Sequence, residues 1–107
     1  LPDQEIFKIL KAIFPGGTIT GCPKIRCMEI INELESIPRG PYSGSFGYIG
    51  FAPYMDLNII IRSIVIHNET ASFHVGAGIV ADSVPEKEYF ETLDKAAPMI
   101  EALSMEK

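Results

Sequence analysis

Tryptophan is absent from these 107 residues, and cysteine and histidine occur only twice each. Cys22 and Cys27, spaced C-x4-C, make neither a zinc site nor a disulfide framework. They read as reduced, structural thiols of a cytosolic protein. Cations are scarce as well: 9 Lys and Arg against 14 Asp and Glu leave a net charge of −5. That balance argues against a nucleic-acid partner and against an anionic membrane surface, since the overall field repels both. No apolar run approaches the roughly 20 residues of a membrane-spanning helix. No stretch reads as a signal peptide, so a cytoplasmic protein is expected. The chain opens on "LPDQEIFKIL" without a methionine, which suggests a piece of something longer.

What is present is the composition of one globular domain, 47% hydrophobic with 9 Gly and 8 Pro. Residues 3–13 place Ile6, Ile9, Leu10 and Ile13 at helical spacing, with Pro2 and Asp3 ahead as start signals. "FPGGTITGCP" breaks that pattern, and a second helix is expected from about Pro23, with Cys27, Ile30, Ile31 and Leu34 as its stripe. Three strands are expected at 43–51, 57–67 and 71–80, joined by lengths that suit hairpins. A last helix over 85–105 has its apolar stripe at Tyr89, Leu93, Ala96, Ile100 and Leu103, with Pro98 interrupting its hydrogen bonds. The expected class is α+β: an antiparallel three-strand meander flanked by helices.

One strand raises a question. "NIIIRSIVI" reads as a strand covered on both faces, yet it carries Arg62 at its centre. A buried guanidinium needs an anion, because leaving it unpaired costs several kcal/mol, on the order of 3–5. That anion is either an internal carboxylate or one belonging to a ligand.

Other groups carry a plain and a chemical reading side by side. Glu88, Glu91 and Lys95 fall within about 60° of one another on the last helix, beside its apolar stripe. They form either a solvated face with a weak Glu91–Lys95 pair, or two carboxylates able to hold a hard cation such as Mg²⁺. "PGGTITG" is either an ordinary turn or a set of amides that cradle an anion ahead of a helix. "GAG" at 76–78 marks a bulge or a close backbone approach by a ligand. Tyr42 packs in the core or donates its phenol hydroxyl, and His67 and His74 read as structural.

Taken in order, "PGGTITGCPKIRCMEIINELE", "RGPYSGSFGYIGF", "MDLNIIIRS" and "GAGIVADSVPEKEYFETLDKA" resemble the C-terminal part of the chorismate-utilising enzymes. That family includes anthranilate synthase component I, the aminodeoxychorismate synthases and the isochorismate and salicylate synthases. The resemblance runs from about Phe14 to Leu103. "PGGTITGCPK" and "MDLNIIIR" look closest to the aminodeoxychorismate synthase component I branch of folate and para-aminobenzoate biosynthesis. Anthranilate synthase component I more often has Ala at the position of Cys22.

The resemblance implies a role for each group. Arg62 would contact a chorismate carboxylate, helped by Tyr42 and by the backbone amide at Gly78. Thr18, Thr20 and Gly21 would line the same pocket. Glu88 and Glu91 would belong to a Mg²⁺ site, with Lys95 beside the substrate as the catalytic candidate. The implied reaction aminates the chorismate ring with loss of its C4 hydroxyl, using ammonia from a glutamine amidotransferase subunit. The family's catalytic domain is several times longer, and its other half supplies further metal ligands, a catalytic lysine and a histidine. The expectation is therefore a C-terminal portion of the anthranilate synthase component I-like fold, inactive and prone to self-association by itself. Two alternatives stand beside it: anthranilate synthase component I, or a stand-alone small-acid-binding or dimerisation domain.

Overall fold

The computed structural model describes residues 5–52 and 54–105; Pro2 and Asp3, the expected start signals, lie outside them. The elements run α1 (Ile6–Ile13), α2 (Gly17–Thr20), α3 (Lys24–Leu34), β1 (Ser45–Ile49), β2 (Met55–Ile59), β3 (Val65–His67), β4 (Thr70–Ser72) and α4 (Pro85–Ser104). They divide into two compact units, Leu1–Ile60 and Ile61–Lys107.

In the first unit α1 keeps most of the stripe its periodicity predicts, with Ile6, Ile9 and Leu10 half-buried, while Ile13 at its end is exposed. Gly17–Thr20 close a single helical turn. Gly21 then leaves it at φ 93° and ψ 177°, a conformation essentially restricted to glycine. A Cβ on Gly21 would also stand 2.9 Å from the Cys27 sulfur. Cys27 is thus a packing residue, as its half-buried place on α3 requires. β1 and β2 form an antiparallel hairpin with Ser45 opposite Ile59 and Ile49 opposite Met55. Gly47 is needed there, because a Cβ would meet the Leu57 Cα at 2.8 Å. Leu10, Ile13, Phe14 and Ile19 share an apolar cavity of about 170 Å³ with Leu57 and Ile59 of the hairpin.

In the second unit β3 pairs with β4, Val65 facing Ser72 and His67 facing Thr70. Asn68 and Glu69 both take positive φ, 46° and 61°, as a two-residue hairpin turn of the favoured hand demands. α4 starts with Pro85 in its first turn and acidic Glu86 and Glu88 behind it, as helix N-termini favour.

The α+β class holds, but the three-strand meander does not. β2 ends at Ile59 and β3 begins at Val65, so the long strand expected over 57–67 is two short ones in separate two-stranded sheets. The break contains Arg62 at φ 51°, a left-handed backbone that cannot continue a strand. The third strand is likewise shorter than expected, since β4 stops at Ser72, well before "GAG". Burial is slight throughout. Among the described residues only Ala96 and Met99 are buried hydrophobics, while Phe46 and Ile66 stay 77% and 73% exposed.

Candidate functional site

The second unit gathers most of the residues that the sequence singles out. Arg62, Glu91 and Lys95 line one open cavity of about 650 Å³, together with Ile64, Asp94, Pro98, Met99 and Ala102. The helical share of that wall, Glu91, Asp94, Lys95, Pro98 and Ala102, recurs every three or four residues and so forms one stripe of α4. Small side chains at its far end leave the space, and charged ones set its chemistry.

Lys95 is anchored twice. Its Nζ donates to Glu91 Oε1 at 2.6 Å and to the carbonyl of Gly76 at 3.1 Å. The second bond ties α4 to the irregular segment 73–77, which is half-buried. Glu88, Thr92, Lys95, Ala96 and Met99 are therefore the covered positions of α4. The apolar stripe expected to be covered is instead largely open, with Tyr89 at 61% and Ile100 at 53% exposure.

Arg62 answers its question in an unexpected way. It is exposed, and among the described residues no hydrogen bond or ion pair reaches its guanidinium. The internal-carboxylate reading fails here. What remains is a forked donor on a cavity wall, held by a backbone in the left-handed region that favours glycine.

Glu88 carries the other unspent group. Its Oε2 is buried and has no hydrogen-bond partner. With the Glu91 carboxylate one turn on, it offers the hard oxygens that Mg²⁺ takes, so this pair fits such an ion. No group of three or more His, Cys, Asp or Glu able to hold a metal occurs among the described residues. A Mg²⁺ held here would keep water or substrate oxygens in its remaining positions. Gly78 is exposed, and a Cβ there would meet nothing within 4 Å, so nothing among the described residues requires glycine there.

Thr18, Thr20, Gly21 and Tyr42 belong to the first unit. The amides of Ile19 and Thr20 both donate to the Gly16 carbonyl, and that of Gly21 to Gly17. The Thr20 hydroxyl also turns back to Gly16, at 3.2 Å. Those three amides are spent inside the turn, and the anion-cradle reading loses them. Tyr42 is half-buried in the turn after α3, beneath the guanidinium of Arg39 at 5.7 Å.

Sequence reasoning missed Arg39 and Asp94. Asp94 was legible as a member of the α4 stripe, three residues after Glu91. Arg39 stands four residues after Glu35 beyond the end of α3, where helical spacing stops being a guide.

Residues 1–101 match the family described as chorismate binding enzyme. The chain is 51% identical to anthranilate synthase component 1 of Synechocystis sp., over 94% of this chain and 21% of that protein. It is 56% identical to anthranilate synthase component 1 3 of Haloarcula marismortui, over 92% of this chain and 20% of that one. It is 55% identical to a probable chloroplastic aminodeoxychorismate synthase of Oryza sativa subsp. japonica, over 90% of this chain and 11% of the relative. The chain thus spans about a fifth or less of the length of these relatives.

Proposed function

Because this chain belongs to the family of chorismate binding enzymes, we propose that it forms the C-terminal, chorismate-binding part of an aminating chorismate synthase. The observation that carries this reading is the cavity itself, where Arg62, which has no partner among the described residues, lies across from a wall of α4 that carries the tethered Lys95 and the carboxylates of Glu91 and Asp94. A chorismate dianion needs fixed cations in a chain whose net charge is −5. Arg62 supplies a two-pronged donor to one substrate carboxylate. Lys95, oriented by Glu91 and Gly76, holds a second positive charge beside the ring. Tyr42, Thr18, Thr20, Gly21 and the Gly78 amide are further substrate contacts on the strength of the family resemblance.

Glu88 and Glu91 would hold Mg²⁺, which when bound neutralises a substrate carboxylate against the acidic helix face. The reaction joins ammonia to the ring as the C4 hydroxyl leaves, so chorismate and ammonia give aminodeoxychorismate and water. Ammonia comes from a glutamine amidotransferase partner, and the remaining catalytic groups from a region of the protein corresponding to the rest of the relatives' length. "PGGTITGCPK", with Cys22, and "MDLNIIIR" favour aminodeoxychorismate as the product. Anthranilate is the second reading, favoured by the names of relatives such as those of Synechocystis and Haloarcula. The test is the product formed from chorismate, ammonia and Mg²⁺ by the protein carrying this chain. Anthranilate fluorescence would overturn the first reading, and no product from chorismate would overturn both.

A further inference from the structure

We propose that Arg39 is the positioning residue of Tyr42, and that it sets the strength of the tyrosine's contact with the substrate. The inference rests on the proposed chorismate contact of Tyr42. The turn after α3 is held in an unusual shape on both sides of that ring. Gly40 has φ 58° and Ser43, with a full side chain, has φ 61°. A serine adopts that left-handed conformation only when its surroundings impose it. Two groups do so here: the Ile60 carbonyl accepts from the Ser43 amide at 2.9 Å, and Arg39 Nη1 donates to the Ser43 hydroxyl at 3.2 Å.

Arg39 is fixed in turn. Its Nε and Nη2 grip both carboxylate oxygens of Glu35, at 2.7 and 2.5 Å, just past the end of α3. The bond to Glu35 pushes the guanidinium still further toward its protonated form, against a smaller opposing effect of burial. Its carbonyl accepts from the Tyr42 amide at 3.1 Å, and its guanidinium lies over the Tyr42 ring at 5.7 Å. One side chain therefore joins the helix end, the strained serine and the ring face. A flat, forked cation does all three; an ammonium cannot grip a carboxylate with two parallel bonds and cover a ring at once.

The test is a double-mutant cycle on chorismate affinity in the protein carrying this chain, using Arg39→Ala, Tyr42→Ala and the pair. Arg39→Lys serves as the conservative variant, and Tyr42 ring resonances and thermal melts are followed throughout. Arg39→Ala should weaken affinity about three- to thirtyfold, the range expected for a cation–ring contact. It should shift the Tyr42 ring resonances and add nothing on top of Tyr42→Ala. Arg39→Lys should recover only part of the affinity. Additive effects, or unchanged affinity with Arg39→Ala while Tyr42→Ala weakens it, would remove Arg39 from the site and leave Tyr42 in place. Unchanged affinity with Tyr42→Ala, or no chorismate binding by the unaltered protein, would sink the Tyr42 reading and this inference with it.

Discussion

Lys95 reaches back one turn of α4 to hold Glu91 at 2.6 Å, so the lysine and a carboxylate proposed for the metal restrain each other. Both side chains are partly exposed, at 37% and 50%, which limits what the pair contributes to stability. Lys95→Met should therefore lower folding stability by no more than about 1–2 kcal/mol, the few tenths of an exposed helical pair plus the bond to the Gly76 carbonyl. Its effect on chorismate turnover should be far larger. Urea melts and steady-state rates on one preparation check this, and a large loss of stability with intact turnover would make Lys95 structural.

Arg62 separates function from folding unusually well. Arg62→Ala should weaken chorismate binding by roughly 1.5–3 kcal/mol, and Arg62→Lys should restore part of it. Arg62→Gly relieves the positive φ, offsetting much of the roughly 0.5–1 kcal/mol that a new glycine costs. Its melting should stay near that of the unaltered protein while KM for chorismate rises as in the alanine variant. An unchanged KM in all three would take Arg62 out of the substrate site.

Removing either carboxylate should appear first in the metal dependence. Glu88→Gln and Glu91→Ala should each raise the Mg²⁺ concentration needed for half-maximal turnover, with partial recovery in excess metal. Direct Mg²⁺ titration by calorimetry gives an independent reading. Equal Mg²⁺ affinity in the variants and the unaltered protein would assign the metal elsewhere.

Gly21→Ala tests the turn that precedes α3. The conformation at φ 93° and ψ 177° excludes a Cβ, and the Cys27 sulfur occupies the space it would take. A loss of about 1–3 kcal/mol in urea melts is expected. Cys27→Ala should restore only the part due to contact, because the backbone strain is independent of the neighbour. Full rescue by that second change would show that the backbone is not strained.

The isolated chain should self-associate and leave chorismate unconverted. Large apolar side chains including Phe7, Ile25, Phe46 and Ile66 are each more than 70% exposed, and both two-stranded sheets have open edges. Sedimentation and binding of an apolar-surface dye check the first statement, product detection the second. A clean monomer without dye binding, or measurable turnover, would count against the corresponding half.

The sequence by itself determined the elements whose signals are local. Proline at the first turn of α4 and the glycine-broken turn before α3 follow from backbone preferences within a few residues, and the short "NET" connection already has the length of a hairpin. It also determined the stripe of α4 that carries Glu91 and Lys95, because helical geometry alone sets which side chains share a face. The tertiary structure decided what depends on partners distant along the chain. Only the folded chain shows that Glu88, Lys95, Ala96 and Met99 are covered, with Lys95 bonded to the Gly76 carbonyl, while Tyr89 and Ile100 stand open. Likewise the composition of "NIIIRSIVI" favours one continuous strand, and nothing local forbids it. In the fold β2 ends at Ile59 against β1, Val65–His67 pairs instead with Thr70–Ser72, and Arg62 in the break between them lines the cavity. Strand pairing and burial are relations between segments, and a run of isoleucines is compatible with either outcome until its neighbours are in place.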